Sequence, residues 1–322
     1  MKENNRSIIS DEEMILMDNG ILSQFRKSDF TIVVPVLNEE ESIGLVIKNI
    51  LDEGYENILI VDGYSSDGTV HVASKHGVKV IYQQGKGKTG AIKTAIDHID
   101  TPYLIIIDGD CTYDPSEIKN FYPHIRFNDE VIGIRKNGRT NIPFLNRFGN
   151  WVINFTFNLL FSSGIKDVCS GLYALKTRFA KTLELKTQGF DVEVEIAAQT
   201  ITNGSLTQIP INYHSRVGQQ KLQPFRDGTQ IFRSVWTLAR IYNPVFLYSM
   251  LATLSIIPSL IILSWVSYEM YNGIWHPSMA LFGSTILILS FMSFILCILS
   301  TLLKRQERRI LKRIKEFLIS TS

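Results

Sequence analysis

Tyr103-Leu-Ile-Ile-Ile107-Asp108-Gly-Asp110-Cys-Thr-Tyr-Asp114-Pro115 decides how this chain is read. The apolar run Tyr103 to Ile107 predicts a buried strand. Three carboxylates follow it directly, and the carboxyl end of such a strand is where an open α/β sheet binds its ligand. Asp-x-Asp supplies hard oxygen donors, so Asp108 and Asp110 are candidate ligands for Mg or Mn. A cation with open positions can bridge the phosphates of a nucleotide and neutralise a departing diphosphate. A plain polar turn uses the same residue types and stays open at this point. An EF-hand does not: counted from Asp108, its obligatory Gly and Glu positions hold Tyr113 and Lys119.

Upstream of this stretch, strands and helices alternate. Phe30 to Val36 is β-rich, and Asn38-Glu-Glu-Glu-Ser42 opens an amphipathic helix to about Leu51, since acids in the first turn favour a helix N-terminus. Asn57 to Asp62 reads as a second strand and Gly63 to Thr69 as a capped turn into a second helix. Val78 to Tyr82 reads as a third strand. Gly85-Lys86-Gly87-Lys88-Thr89-Gly90 precedes a helix expected from Ala91 to His98. This order implies right-handed crossovers and a mostly parallel sheet covered on both faces. The Gly-rich turn lacks Walker spacing, because Ala91 stands where Lys is required. Its backbone N–H groups and Lys86 and Lys88 still suit an anionic phosphate.

Downstream, Arg135, Arg139 and Arg147 lie between the acidic stretch and the apolar run Trp151 to Phe161, and the guanidinium fork suits phosphate. Ser170-Gly171 reads as a turn beside the site. The alternation Phe190-Asp191-Val-Glu193-Val-Glu195 fits a helix start or an edge strand. Arg226, Arg233 and Arg240 recur every seven residues among apolar neighbours, which predicts an amphipathic helix in a membrane interface or one packed on the domain.

The 322 residues are 45% hydrophobic with a net charge of +2, enough for one sizeable α/β domain and something more. Between Arg240 and Lys304 the single formal charge is Glu269, dividing two apolar stretches that each exceed the ~20 residues needed to cross a bilayer. The basic run Lys304 to Lys315 follows, and basic flanks stay cytoplasmic. Two spans then return the chain to the side on which it started. The three cysteines form no disulfide framework or zinc spacing, and the six histidines show no ligand spacing. Met1 to Asp29 has no signal-peptide core and reads as a weak helix or extension. The expected organisation is an extension at 1–29, an α/β domain at 30–223, an interfacial helix at 224–243, two spans at 244–303 and a basic tail at 304–322.

Taken together, these residues resemble the inverting family 2 glycosyltransferases of GT-A fold, and within them the polyprenyl-phosphate sugar synthases of the dolichyl-phosphate mannose and glucose type. Pro35-Val-Leu-Asn38-Glu39 matches the Pro-x-x-Asn-Glu opening. Val61-Asp62-Gly-Tyr-Ser65-Ser-Asp67-Gly68-Thr69 matches Val-Asp-Asp-x-Ser-x-Asp-Gly-Thr, and Asp108-Gly-Asp110 stands for Asp-x-Asp. The resemblance covers about Phe30 to Leu222. It implies that Pro35, Asn38, Glu39 and Asp62 line the nucleotide pocket, with Lys86 and Lys88 beside it, and that Asp108 and Asp110 hold metal and diphosphate. It places Arg135, Arg147, Ser170 and Gly171 in the acceptor segment, and has Arg216-Val-Gly-Gln-Gln-Lys221-Leu222 close over the phosphates. Gly63 departs from the family's second acid, and Thr112 stands where mannose synthases place Gln.

The implied activity is transfer of a hexose or N-acetylhexosamine from a nucleotide diphosphate sugar to polyprenyl or dolichyl phosphate at the cytoplasmic face. The Gly-rich loop leans toward a UDP rather than a GDP donor. The lipid bilayer is an implied partner, nucleic acid is not, and a homo-oligomer stays open. A processive or other-acceptor membrane glycosyltransferase and a non-catalytic sugar-nucleotide sensor are the rival readings.

Overall fold

The computed structural model describes residues 25–136, 141–161, 163–186, 192–217, 237 and 243–320. They fall into two compact units, 1–235 and 236–322.

The first unit is built on a seven-stranded sheet. Its strands are β1 (Phe30–Val36), β2 (Ile58–Asp62), β3 (Lys79–Tyr82), β4 (Tyr103–Ile106), β5 (Glu130–Arg135), β6 (Tyr173–Lys176) and β7 (Leu206–Ile211), in the order β3-β2-β1-β4-β6-β5-β7. β3, β2, β1 and β4 run parallel, and β6 enters antiparallel to both β4 and β5. β7 is parallel to β5. This is the mostly parallel GT-A-type α/β sheet expected from the strand and helix alternation.

The helices α1 (Glu40–Asp52), α2 (Thr69–Lys75) and α3 (Gly87–Asp97) form the crossovers between the first four strands. In α1, Ile43, Val46, Ile47 and Ile50 bury one face at helical spacing, while Glu40 and Glu41 occupy the first turn where the helix dipole favours acids. The third helix starts at Gly87 rather than Ala91, because Lys86 is an extended N-cap and the Gly-rich segment supplies the first turn. Behind the sheet, Phe30 stacks on Tyr122 at 4.4 Å between ring centroids and on Tyr103 at 5.0 Å.

After a short 3-10 turn (Pro115–Phe121) and α4 (Tyr122–Ile125), the chain forms β5 and then α5 (Phe144–Phe161). α6 (Thr177–Ala180) follows β6, and α7 (Val192–Asn203) leads into β7. The strand order reverses at β1, which has β2 on one side and β4 on the other. In an open sheet that reversal opens a crevice at the carboxyl ends of the two flanking strands. The Pro35–Glu39 segment closes β1 and runs on past it, and the acidic stretch follows β4, so both end at that crevice.

The second unit is a helical hairpin of α8 (Pro244–Tyr271) and α9 (Pro277–Ser320). Ser259 Oγ donates to Gly283 O, Ser290 Oγ to Ala252 O and Cys297 Sγ to Val245 O, a register that advances along one helix while receding along the other. Pro244–Tyr271 and Pro277–Leu303 are candidate membrane spans, and their outer faces display exposed Ile257, Ile261, Leu281 and Phe291. α9 continues as helix past Leu303 through the basic stretch to Ser320. The amphipathic helix expected over 224–243 lies outside the described residues apart from positions 237 and 243, as do most of the 1–29 extension and Arg139.

Candidate active site

Two loops lock together at the ends of β1 and β2. Asn38 adopts a left-handed φ of 53°. Its side-chain oxygen accepts from Ser66 N at 2.7 Å, and its own N–H donates to Ser65 Oγ at 2.8 Å. Asp62 is fully buried and accepts from Ser65 N at 2.9 Å. Asp67 Oδ1 caps Thr69 N at 3.0 Å, and Thr69 Oγ1 accepts from Glu39 N at 2.7 Å. Asn38 and Asp62 therefore shape the crevice through backbone hydrogen bonds, whatever else they bind. Gly63 sits where a Cβ would lie 3.3 Å from Val36 O and 3.4 Å from Gln83 Oε1, so a second acid there would crowd both. Next to it, Tyr64 and Tyr82 stack at 5.4 Å with both rings largely exposed.

The loop after β4 meets the loop after β1 directly. Ser42 Oγ donates to Gly109 O at 2.7 Å. Thr112 Oγ1 and N donate to Asp110 Oδ1 at 2.6 and 3.2 Å, which aims the other oxygen of Asp110 outward. That oxygen lies 3.1 Å from Nη1 of Arg216, whose Nη2 contacts Glu39. One guanidinium thus spans carboxylates from the loops after β1 and β4. The segment carrying Arg216 is held along the acidic loop by His214 N to Thr112 O at 2.8 Å and Val217 N to Asp110 O at 3.1 Å.

Asp108 is engaged differently. Lys88 Nζ, from the first turn of α3, contacts Asp108 Oδ1 and Glu193 Oε1. Burial pushes the Asp108 carboxyl up to about 6, with Lys88 opposing the rise and Asp110 and Glu193 adding to it. Burial pulls Lys88 down, but the two carboxylates outweigh it and hold the ammonium well above its usual range. Behind this trio Glu130 is buried, with Oε2 lacking a hydrogen-bond partner, and burial pushes its carboxyl up to about 8.

The acceptor-segment residues divide into two sets. Arg135 pairs with Asp167 through two 2.6 Å hydrogen bonds, and its guanidinium lies over the Tyr213 ring at 5.3 Å. Gly171 N donates to Tyr113 Oη at 2.7 Å, and Ser170 is buried beside it. Arg147 instead lies in α5 with its guanidinium over Phe144. Lys86 serves as the N-cap of α3, and Pro35 lies in β1 next to its last residue, Val36. Lys221 lies outside the described residues. Asp114 caps the 3-10 turn through Ser116 N, and Glu195 accepts from Lys186 N, so both acids are structurally committed.

Sequence reading alone missed Glu193 as the partner of Lys88, Asp167 as that of Arg135, Thr112 as the group that orients Asp110, and the Tyr64 and Tyr82 stack. The regular acid spacing before α7 was a signal for the first. The others depend on contacts between distant segments.

Among the described residues, no three His, Cys, Asp or Glu side chains converge as a ready-made metal cage. The donor set nevertheless fits a Mg-type cation, which commonly uses one or two carboxylates and takes its remaining positions from substrate phosphates and water. A cation is already accommodated between Glu39 and Asp110, in the form of the Arg216 guanidinium. Asp110 offers the outward oxygen, whereas Asp108 would have to share its charge with Lys88.

The chain has counterparts among known proteins. Residues 31–182 match Glycosyl transferase family 2. Glycosyltransferase AglJ of Haloferax volcanii is 32% identical over 296 residues, covering 88% of this chain and 97% of that protein. The chain belongs to glycosyltransferase family 2. It is similar also to the dolichyl-phosphate hexose transferase of the same organism, 29% identical over 220 residues, covering 66% of this chain and 95% of the relative. The glucosyl-3-phosphoglycerate synthase of Mycobacterium tuberculosis, solved with Mn2+ and uridine-diphosphate-glucose, superposes with a TM-score of 0.56 at 18% identity, covering 70% of this chain and 82% of that one. That likeness concerns the fold.

Proposed function

We propose that the chain transfers a hexose or N-acetylhexosamine from a nucleotide diphosphate sugar, UDP-linked before GDP-linked, to a polyprenyl or dolichyl phosphate at the cytoplasmic membrane face. The observation that carries this reading is the Arg216 guanidinium held between Glu39 and Asp110 at the switch point, in a chain that also bears two candidate spans. Similarity to a dolichyl-phosphate hexose transferase supports the acceptor class.

The base and ribose would lie by the Asn38 and Asp62 loops, with the Tyr64 and Tyr82 rings as an apolar wall. A Mg or Mn ion, held by Asp110 with Asp108 behind it, would supply charge neutralisation for the diphosphate. Arg216, released from Asp110, would turn its fork to phosphate oxygens, for which guanidinium geometry is suited. Lys221, Arg135 and Arg147 are proposed as further contacts for the donor and acceptor phosphates, and Ser170-Gly171 as the turn that sets the acceptor's approach.

The acceptor phosphate is itself the nucleophile. Its second pKa should lie near that of other phosphate monoesters, about 6, so it is largely dianionic at neutral pH and needs no strong base. In-line attack on the anomeric carbon, opposite the departing diphosphate, inverts it. Positioning and charge stabilisation then carry most of the barrier reduction.

Reconstituted protein given polyprenyl phosphate, Mg or Mn and one radiolabelled UDP- or GDP-sugar at a time tests the reading. Label in the organic phase from one donor, lost with chelator and lost in Asp110→Asn, is the expected result. A water-soluble labelled polymer, or nucleotide binding without any transfer, would overturn it.

A further inference from the structure

The chain leaving β2 offers a ligand no available carboxylate at 62 or 63. Asp62 has no exposed surface, and both of its oxygens accept from Ser65, one from the backbone N–H at 2.9 Å and the other from the hydroxyl. Position 63 carries no side chain, and Gly63 N donates to Val36 O at 2.8 Å. The floor of the crevice there is bare backbone.

Gln83, the residue after β3, brings a neutral group to the same place. Its backbone N–H donates to Asp62 O at 2.9 Å, which continues the pairing of β2 with β3 and sets the side chain beside Gly63. The amide is oriented. Nε2 donates to Gly85 O at 3.3 Å, and a carbonyl can only accept, so the NH2 faces Gly85 and the oxygen faces away. Oε1 lies 3.4 Å from where a Gly63 Cβ would be, and it accepts no hydrogen bond among the described residues. A nearly buried acceptor of this kind is costly unless a ligand or water supplies a donor. Gln83 is 8% exposed and Gly63 half-buried, so the way to Oε1 runs over the glycine. Apolar surface lines that way. Leu37 Cβ lies 3.5 Å from the same point, and the exposed Tyr64 ring stacks on Tyr82 from a backbone with a left-handed φ of 65°. Non-glycine residues rarely adopt such a φ, and strain of this kind collects at ligand sites.

We propose that Gln83 selects the base of the donor, its Oε1 accepting the N3–H of a uracil ring laid over Gly63 and against Leu37 and Tyr64. Uracil presents one N–H between two carbonyls, which a single fixed acceptor satisfies. Cytosine and adenine carry a lone pair at the matching ring nitrogen, which would face the lone pairs of Oε1. Guanine carries two adjacent donors, N1–H and the 2-amino group, and the carboxylate that would accept both is absent at 63 and committed at 62. A site built around a hydrogen bond rejects the ligand that cannot make it. The proposal deepens the nucleotide-sugar reading above and rests on it, through a residue that reading does not use.

The test is calorimetric titration of the full chain in detergent micelles with Mn2+, using UDP, N3-methyl-UDP and GDP. Wild-type protein should bind UDP more tightly than either of the others by roughly tenfold or more, the scale of one hydrogen bond lost. In Gln83→Met, which keeps the side-chain length and loses the acceptor, UDP and N3-methyl-UDP should bind alike. The wild-type comparison needs no variant, and the ratio within one variant does not depend on how much of it is folded. N3-methyl-UDP binding as tightly as UDP, GDP preferred over UDP, or an undiminished ratio in Gln83→Met would overturn the proposal while leaving the donor class standing. Binding of none of the three by wild-type protein would overturn the nucleotide-sugar reading itself, and this inference with it.

Discussion

The Asp108 carboxylate occupies the space that a side chain on residue 171 would fill: a Cβ built on Gly171 would lie 1.9 Å from Asp108 Oδ2 and 2.4 Å from its Cγ. Asp108 reaches this position because Lys88 pulls its other oxygen inward. Position 171, in the turn before β6, thus has no room for a side chain because a carboxylate of the site lies against it.

Gly171→Ala should therefore act on the site more than on the fold. Asp108 must rotate off Lys88, or the 170–171 turn must move away. Overpacking of this kind costs about 1–3 kcal/mol. A misplacement near 1 Å at a catalytic group can cost on the order of 100-fold in rate. Organic-phase transfer assays beside thermal melts check this, and a variant with normal turnover would remove Asp108 placement from the mechanism.

Lys88 joins two carboxylates, the half-buried Asp108 and the buried Glu193. Lys88→Met should destabilise the protein by about 3 kcal/mol, because it leaves Glu193 buried without a cation, while water partly screens the half-buried Asp108. The double variant with Glu193→Gln should recover part of that loss, since one of the uncompensated charges is gone. Denaturant titration of both variants measures this, and an unrecovered double variant would mean that Glu193 is not the partner that matters.

These two relationships show where the chain was readable before its structure. The strand and the carboxylates at 103–114 are local patterns, as are the alternating elements up to β4 and the two long uncharged stretches. The pairing of Lys88 with Glu193 and of Arg135 with Asp167 is not local. It arises because β6, only Tyr173–Lys176, inserts antiparallel between β4 and β5, and nothing in four residues announces that insertion. The Gly-rich segment was legible as a phosphate-type turn but not as the first turn of α3, because Gly weakens a helix that tertiary contacts here enforce. The aromatic run at 151–161 was visible as apolar, while its outward direction depends on the opposite face, where Asn154 and Asn158 bind Val168 and Ile165.

Arg216 blocks the outward oxygen of Asp110 while bridging it to Glu39. Arg216→Ala should separate cation binding from catalysis. Without a competing guanidinium, the Mn2+ affinity of the nucleotide-free protein should rise roughly tenfold, the factor that ~1.4 kcal/mol provides. Sugar transfer should fall, because the fork for the phosphates is lost. Paramagnetic titration of Mn2+ together with the transfer assay measures both, and weaker Mn2+ binding in the variant would show that the cation is held elsewhere.

Glu130 sits fully buried at the start of β5 facing Thr200, with one carboxylate oxygen unpartnered, and burial pushes its carboxyl up from 4.5 to about 8. Because the folded protein holds this proton more tightly than the unfolded chain does, the stability it contributes is fully present below pH 4.5 and is lost as pH rises to about 8. Glu130→Gln keeps the shape and removes the titration. The wild-type melting temperature should therefore decline between these limits relative to the variant, with the two curves diverging most at pH 8 and above. Melts of both proteins in detergent micelles across this range provide the check. Parallel curves would show that Glu130 is ionised in the folded state and balanced by a cation near it.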